Sequence, residues 1–470
     1  MRVVVIGGGA REHAIAQTLK LAEATVVTVT AGPHPGLDIL SEARLHADPT
    51  RPDAVVPFAK AQRADYAVIG PEAPLASGVS DALRTAGIPV VGPSRDAARI
   101  ETSKRFCREL LARHRIDASP KFVVVKSETE VDAAVGAFGG PFVVKPVGLT
   151  AGKGVRVQGR DFTTEAEGAA FAKALLSVGG EGVVLEERLE GEEFSLMAFV
   201  TDSGLYPMPL VQDYKRALEG DQGANTGGMG SYSQRDHLLP FLSVAARDQA
   251  VDILRRTVDA LRAENLPFRG ILYGGFMQTR IGPILLEINA RFGDPEALNV
   301  LTLYEEGDFD ELLYGVATGR VDPNLVRFRQ RATAVKYLVP PGYGAQPKAG
   351  IVVDFDLPSI EAAGVRAFFG TVEPAGPARV RFATSRGLAL VGEASAIHEA
   401  SDRVDRALPF VRGAYYVRRD IGSAADVTRR VEHMRTLLSP GAKPSPLPLS
   451  VAAPDAPPSS AGAADELLGA

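Results

Sequence analysis

At 470 residues the chain is too long for one hydrophobic core, since single domains stop growing at about 250–300 residues, and about three domains are expected. Apolar residues make up 45% and charged residues 23%, an ordinary globular balance that excludes collagen, coiled coil and wholesale disorder. Its 52 basic and 57 acidic residues leave a net charge of −5, which argues against nucleic acid or an anionic membrane as the main partner. Glycine is in excess: 48 residues, about 10% against an ordinary ~7%, bunched in a few short runs. The single cysteine, Cys107, excludes an internal disulfide and a cysteine-cluster metal site. Within SKRFCRELLARH it reads as a small core residue of a helix. No apolar run reaches the length of about 18 residues that a membrane span needs. MRVVVIGGGARE leads from a short apolar run into glycines and charges, which reads as a first strand rather than a signal peptide, and a cytoplasmic chain is expected.

In the first hundred residues, strands at Val3–Ile6, Thr25–Thr30, Tyr66–Ile69 and Val90–Val91 alternate with helical spacing at Arg11–Ala22 and Gly78–Ala86. Such alternation predicts a parallel sheet covered by helices, with ligands beyond the carboxyl ends of the strands. Those ends are GGGARE (7–12), AGPHPG (31–36), GPEAPL (70–75) and GPS (92–94), so the glycines cluster where a ligand would lie. Ser103–His114 then reads as a helix, followed by strands at Phe122–Val125, Phe142–Val147, Val155–Val157, Val183–Leu189 and Phe194–Val200. Capping boxes are expected at Ser127 with Glu130 and at Thr164 with Glu167, where each helix start offers reciprocal side-chain bonds. Val244–Ala263 has the spacing of a long amphipathic helix, Gly270–Thr279 and Pro283–Ile288 look like a hairpin, and Asp308–Thr318 is a helix stopped by Gly319. This stretch predicts an α+β domain with an antiparallel sheet. After Asp322 come short strands at Ala332–Leu338, Gly350–Val353 and Leu388–Val391 and a helix at Ser395–Leu408, which predict a third, smaller domain. The last 32 residues (439–470) hold seven prolines and few charges, and a disordered tail is expected.

Five segments carry residues suited to chemistry. Gly7-Gly8-Gly9-Ala10-Arg11-Glu12 resembles G-x-G-x-x-G but ends in Glu12, and Thr30-Ala31-Gly32 supplies no acidic residue for a ribose. An NAD site is therefore weakly supported, leaving a phosphate site at a helix N-terminus or a tight turn with no ligand. Lys145-Pro146-Val147-Gly148 ends a strand, and Gly152-Lys153-Gly154 follows in a loop. With no Ser or Thr after Lys153 and no helix launched, this reads as a hairpin lid over nucleotide phosphates. Glu186 through Glu193 is rich in carboxylates at a strand end, able to accept from an adenine amino group or ribose hydroxyls, or else a solvated charge run. In Leu286–Glu296, strand alternation puts Glu287 and Asn289 on one face, where they can share a hard cation with substrate phosphates. Arg291 falls on the same face and can hold a carboxylate or a transferring phosphoryl group, and Asp294-Pro295 reads as an N-cap and first helical position. Asp213-Tyr214-Lys215-Arg216 with Asn225–Gly230 is a polar, glycine-rich loop, either surface or ligand-binding. His13, His34 and His114 have no metal-ligand spacing, and neither G-x-S-x-G nor H-E-x-x-H occurs.

The order of lysine strand, glycine lid, Glu-Glu strand end and E-x-N strand resembles an ATP-grasp ligase. IGGGAREHA, VIGPEAPL, KPVGLTAGKGV, EERLEGEEFS, QDYKR, NTGGMGSYS and EINARFGDPE resemble the phosphoribosylamine–glycine ligase family of purine biosynthesis, over Met1 to about Ile421. The resemblance implies a multidomain α/β and α+β protein. It comprises a Rossmann-like parallel-sheet domain (1–102), an ATP-grasp domain (103–325, lid at about 121–190), a small α+β domain (326–435) and a tail (436–470). It also implies ATP on Lys104, Lys145, Lys153, Gly154, Glu186, Glu187, Leu189 and Glu193, and Mg²⁺ or Mn²⁺ on Glu287 and Asn289. Phosphoribosylamine would lie against Gly8, Gly9, Pro71, Glu72, Asp213, Lys215, Asn225 and Asp294. Arg291 would face glycine or its acyl phosphate, with Lys145 and Lys153 completing the catalytic set. Partners are then small molecules, and the chain a monomer or homodimer. Three departures bear on lid geometry and turnover: Pro146-Val147 where relatives often have Ala-Asp, Ala224 where a proline is usual, and a short Ser177–Gly182. The alternatives are another ATP-grasp carboxylate–amine ligase, which would not combine RFGDPE with NTGGMG, a nucleotide-binding regulator without activity, and an NAD-dependent oxidoreductase.

Overall fold

The computed structural model describes residues 1–148, 154–179, 181–305 and 307–439; Lys153 and the tail from 440 onward lie outside them. The N-terminal unit is a five-stranded parallel sheet of β1 (Arg2–Ile6), β2 (Thr25–Thr30), β3 (Ala43–His46), β4 (Tyr66–Ile69) and β5 (Val90–Val91), ordered β3-β2-β1-β4-β5. Helices α1 (Ala10–Leu21), α2 (Pro35–Leu40), α3 (Pro52–Ala61), α4 (Glu72–Ala76) and α5 (Val79–Thr85) connect the strands. Val3, Val4, Val5 and Ile6 are wholly buried, as a central parallel strand covered on both faces requires. The sequence predicts four of these strands. The fifth, β3, is an edge strand with alternate residues exposed, and Ala43–His46 has too few apolar residues to mark it.

After α6 (Arg99–Thr102) and α7 (Lys104–Arg113) comes a small antiparallel sheet of β6 (Phe122–Val125), β7 (Phe142–Pro146), β8 (Arg156–Val157) and β9 (Val183–Glu187), ordered β6-β9-β7-β8. Helices α8 (Glu128–Phe138) and α9 (Glu165–Ser177) cover it around a separate core that includes Val131, Phe142, Phe162 and Leu185. This layer falls within the segment expected as a lid (about 121–190) and is given that name. The capping box forms at Thr164–Glu167 but not at Ser127: Glu130 accepts from Lys126 N–H at 2.8 Å while the Ser127 hydroxyl turns to Thr129.

The body then supplies β10 (Glu192–Val200), β11 (Leu205–Pro207), β12 (Gln212–Asp213), β13 (Arg216–Leu218), β14 (Gln222–Asn225) and β15 (Gly230–Ser233). Helix α10 (Val244–Ala263) leads into the hairpin β16 (Gly270–Thr279) and β17 (Gly282–Asn289), and the sheet order is β11-β10-β16-β17. Helices α11 (Glu296–Leu303) and α12 (Phe309–Thr318) follow, the latter closed by left-handed Gly319 (φ 94°). The expected N-cap at Asp294 is not formed. Pro295 occupies the cap position with no side-chain bond, because the Asp294 carboxylate is engaged by Arg386 and Tyr337.

The last strands are β18 (Ala332–Leu338), β19 (Ile351–Phe355), β20 (Val365–Phe369), β21 (Val372–Gly376), β22 (Arg379–Phe382), β23 (Leu388–Ala394) and β24 (Val411–Gly413), with α13 (Leu357–Ala362), α14 (Ile397–Ala407) and α15 (Ala424–Leu438). They form two sheets, β12-β15-β18-β23-β20 and β21-β22-β19-β24. The first runs continuously across residues 325 and 326, since β15 pairs with β18 from Gly230↔Lys336 to Ser233↔Thr333. The N-terminal unit is clasped to this sheet by two buried histidines. His13 Nδ1 accepts Phe369 N–H at 3.0 Å. His34 Nε2 lies 3.1 Å from the Phe369 carbonyl while its Nδ1 accepts Leu37 N–H at 3.1 Å. These partners fix both rings as neutral Nε2–H tautomers, and burial, with His34 nearby, holds His13 down at about 3. Among the described residues no helix is long and apolar enough to cross a membrane.

Candidate active site

β17 is the axis of the site. Its outward side chains Glu287 and Asn289 are partly exposed, while Ile288 between them is buried, as alternation dictates. Lys215 reaches Glu287 Oε1 at 3.4 Å and Glu193 Oε2 at 3.1 Å. Lys215, with Lys145 and Lys104 behind it, outweighs burial and holds Glu287 at about 2. The reverse holds for Lys215: burial would lower it, but Glu193 and Glu287 push it well above its ordinary value. Glu287 Oε2 and the Asn289 amide oxygen are hard donors on one strand face, a set that fits Mg²⁺ or Mn²⁺ sharing its sphere with phosphates. Among the described residues no group of three or more His, Cys, Asp or Glu gathers for a metal, so such an ion would take its other ligands from substrate or water.

Lys145 comes to this strand from the lid. It pairs with Glu186 Oε2 on the neighbouring β9 at 2.5 Å and lies 3.4 Å from Leu286 O of β17. Glu186 is itself buried, a position that would raise it, yet Arg108 and Lys145 hold it at about 2. Arg108, from α7, completes the brace by donating to Leu285 O at 2.9 Å and Leu286 O at 2.8 Å. The Glu186 carboxylate is thus consumed in aiming Lys145. Glu187 accepts Lys121 N–H at 2.9 Å, and Leu189 is half-buried in the crossing from lid to body. Lys104 stands at the first position of α7 and donates to Gly148 O at 2.8 Å. A cation there opposes the helix dipole. Burial lowers Lys104 despite nearby Glu287.

Past β17 the chain turns, and Arg291 faces Glu101 Oε1 at 3.0 Å and Glu72 Oε2 at 3.4 Å rather than Glu287. Glu101 also accepts Ala290 N–H at 2.7 Å, and burial lifts it to about 7 although Arg291 pulls the other way. Asp213 has a buried Oδ1 with no hydrogen-bond partner among the described residues, and burial and Glu296 raise it well above the carboxylate range. Glu296 is anchored by Ser195 and Tyr273 hydroxyls at 2.9 Å each. Asp294 accepts from Tyr337 at 2.5 Å and Arg386 at 3.0 Å, and Arg386 also donates to Gly227 O at 2.5 Å and Asp294 O at 2.8 Å. The loop after Asn225 is therefore bolted to Asp294 by an arginine from the last third of the chain. Glu101, Arg108, Glu296 and Arg386 escaped sequence reasoning; only Glu296, within RFGDPE, carried any signal.

The turn after β1 is built differently. Glu12, buried in the first turn of α1, accepts Gly9 N–H at 2.6 Å and Arg11 Nε at 2.6 Å. Arg11 reaches on to Phe292 O at 3.1 Å. A Cβ on Gly7 would lie 2.9 Å from Glu12 Cγ and 2.6 Å from Pro71 Cδ, one on Gly9 would lie 2.8 Å from Glu12 Oε2, and one on Gly70 would collide with Glu12 Oε1. Three of these glycines thus make room for the chain's own carboxylate. Gly8 alone is open: its added Cβ meets only Thr30, at 3.6 Å. Gly154 is described, in a turn just before β8, whereas Lys153 lies outside the described residues.

Two family models match the chain: "Phosphoribosylglycinamide synthetase, N domain" over residues 1–101 and "Phosphoribosylglycinamide synthetase, ATP-grasp (A) domain" over residues 102–297. The phosphoribosylamine–glycine ligase of Methanothermobacter thermautotrophicus is 45% identical over 444 residues, covering 93% of this chain and 100% of its own. That of Methanoregula boonei is 42% identical over 438 residues, with the same coverage. Among solved structures, the phosphoribosylamine–glycine ligase of Thermotoga maritima superposes with a TM-score of 0.75 at 26% identity, covering 89% of this chain and 100% of that one. With lysines, carboxylates and E-x-N strand in the arrangement described, and full-length relatives of this identity, the chain belongs to the phosphoribosylamine–glycine ligase family of ATP-grasp enzymes.

Proposed function

We propose that this chain joins glycine to 5-phosphoribosylamine at the expense of ATP, forming glycinamide ribonucleotide, ADP and phosphate in purine biosynthesis. The observation that carries the reading is the convergence of Lys104, Lys145 and Lys215 on the strand bearing Glu287 and Asn289. A carboxylate is a poor electrophile, so glycine is activated first: its carboxylate oxygen attacks the γ-phosphorus of ATP and ADP departs. Lys104 and Lys145 neutralise the phosphates, with Lys153 from the lid loop and Gly154 beside it, and Glu193 takes the ribose while Glu186, Glu187 and Leu189 border the adenine. Preset charges of this kind lower the barrier without a covalent enzyme intermediate. Mg²⁺ or Mn²⁺ on Glu287 and Asn289 supplies further charge neutralisation when bound. Arg291, held by Glu72 and Glu101, receives the glycine carboxylate and then the acyl phosphate. The phosphoribosylamine nitrogen next attacks the acyl carbon, loses a proton, and phosphate leaves. Gly8, Gly9, Pro71, Glu72, Asp213, Lys215, Asn225 and Asp294 surround that second substrate. The chain acts as a cytoplasmic monomer or homodimer, divided at about 102, 325 and 435, with one sheet bridging the second boundary and α15 running past the third to Leu438.

The test is ADP release with glycine and phosphoribosylamine generated in situ from ribose 5-phosphate and ammonia. Release with that pair supports the reading. Release only with bicarbonate or aspartate assigns the site to another carboxylate–amine ligation.

A further inference from the structure

One lid contact lies apart from the lysine cleft. Asp161, in the turn after β8, accepts from Arg216 Nη1 at 2.8 Å and Nη2 at 3.2 Å, and its Oδ2 also accepts Val157 N–H at 2.9 Å. Arg216 follows Lys215 at the start of β13, and its side chain is only 9% exposed. It also donates to Gly223 O on β14 at 3.0 Å, while its own carbonyl accepts from the buried Arg418 at 3.0 Å. Arg418 pairs with Asp221 at 3.1 Å, and Asp221 pairs with Arg430 of α15 at 2.8 Å. The hairpin β13–β14 is thus a post braced from behind by the C-terminal segment. Alternation explains the division of labour: Asp213 and Lys215 face the site, while Gln212, Tyr214 and Arg216 engage Glu192, Asp426 and Asp161. Other polar links from lid to body, among them Lys104 to Val147 and Gly148, Arg108 to Glu186 and Lys145 to Leu286, involve β7 and β9 and their ends. Among the described residues Asp161 alone fastens the β8 edge to the body.

Because Lys145 belongs to the lid and Glu287 to the body, the lid must lift for nucleotide to pass between them. We propose that Asp161 and Arg216 are positioning residues that latch the lid edge to the braced hairpin, holding nucleotide in place and water away from the acyl phosphate. This rests on the reaction given above. A bidentate arginine–carboxylate pair is directional enough to fix the closed register, and neither residue touches Glu287, Asn289 or Arg291. Asp161→Asn keeps the size and the acceptor for Val157 but removes the charge. ADP formed per glycinamide ribonucleotide should rise clearly above one as acyl phosphate is lost to water. The KM for ATP should rise about tenfold, the scale of one charged hydrogen-bonded pair. Asp161→Glu should restore coupling, which a role in folding alone would not predict. An Asn variant with both one-to-one coupling and an unchanged KM overturns the latch. If the unaltered chain releases no ADP with glycine and phosphoribosylamine, the reaction is wrong. The latch is then judged by ATP titration, where tenfold weaker binding supports it and equal binding overturns it.

Discussion

The turn after β1 and the cleft beside β17 are both strand ends crowded with charge, and they are built in opposite ways. In the first, Gly7, Gly9 and Gly70 close around Glu12, which is paired with Arg11 and capping α1. Its charges are spent within the fold. In the second, Lys215 reaches one oxygen of Glu287 while Asn289 and the second Glu287 oxygen face outward. Its charges are held apart by braces such as Arg108–Glu186–Lys145. Glycine marks where something approaches the backbone closely; whether that is a ligand or a side chain depends on which carboxylate or cation is left over. Arg291 joins the regions, clasped by Glu72 from the loop that holds Gly70 and by Glu101 from α6.

Removing the wedge should have the largest effect. Glu12→Ala leaves the buried Arg11 unpaired and should cost about 3–5 kcal/mol in urea unfolding. ATP affinity should stay within about twofold, since the Glu12 side chain pairs with Gly9 and Arg11 and with no residue of the cleft; an equally stable variant would mean the glycines organise the turn unaided. Next comes the joint between them. Burial lifts Glu101 to about 7 from its ordinary 4.5, so the folded protein holds this proton more tightly than the unfolded chain. The stabilisation is complete below the ordinary value and fades as pH rises through about 7, by up to about 3 kcal/mol. Melting temperatures across that window should fall in the unaltered chain and stay flatter in Glu101→Gln; parallel curves would exclude Glu101 as the cause. On the cleft side, Glu287→Ala should lower kcat at least about a hundredfold by removing the proposed metal ligand. Wild-type turnover would remove Glu287 from the metal site. The smallest effects separate the glycines themselves: Gly70→Ala should cost about 1–3 kcal/mol through its clash with Glu12, and Gly8→Ala under about 0.5 kcal/mol. Equal costs would erase the distinction.

What the sequence made legible was local. Strand–helix alternation over the first hundred residues, the Thr164–Glu167 box and the β16–β17 hairpin depend on neighbours a few positions apart, and they fold as their spacing predicts. Glu287 and Asn289 share a face because a strand has period two. What was illegible depended on distant partners. Asp294 reads as a helix cap until Arg386, 92 positions later, takes its carboxylate. Arg108 sits on an amphipathic helix and reads as surface, yet Glu186 draws it into the interior 78 positions away. The pairing of β15 with β18 joins a four-residue strand to one about a hundred residues on, and nothing in Gly230–Ser233 announces it.

The histidine clasp on Phe369 has a consequence for how the chain is made. His13 and its partner backbone are 356 positions apart, so the face of the N-terminal sheet unit that carries His13 and His34 emerges from the ribosome long before the strand that will cover it. At a synthesis rate of about 5–20 residues per second, that face waits on the order of tens of seconds. During the wait its two imidazoles are solvated and free to take up protons, and docking of β20 expels those protons. The first helix to be born is therefore among the last to be finished, and its closing step releases acid when the surrounding pH lies below the ordinary histidine value of about 6.5.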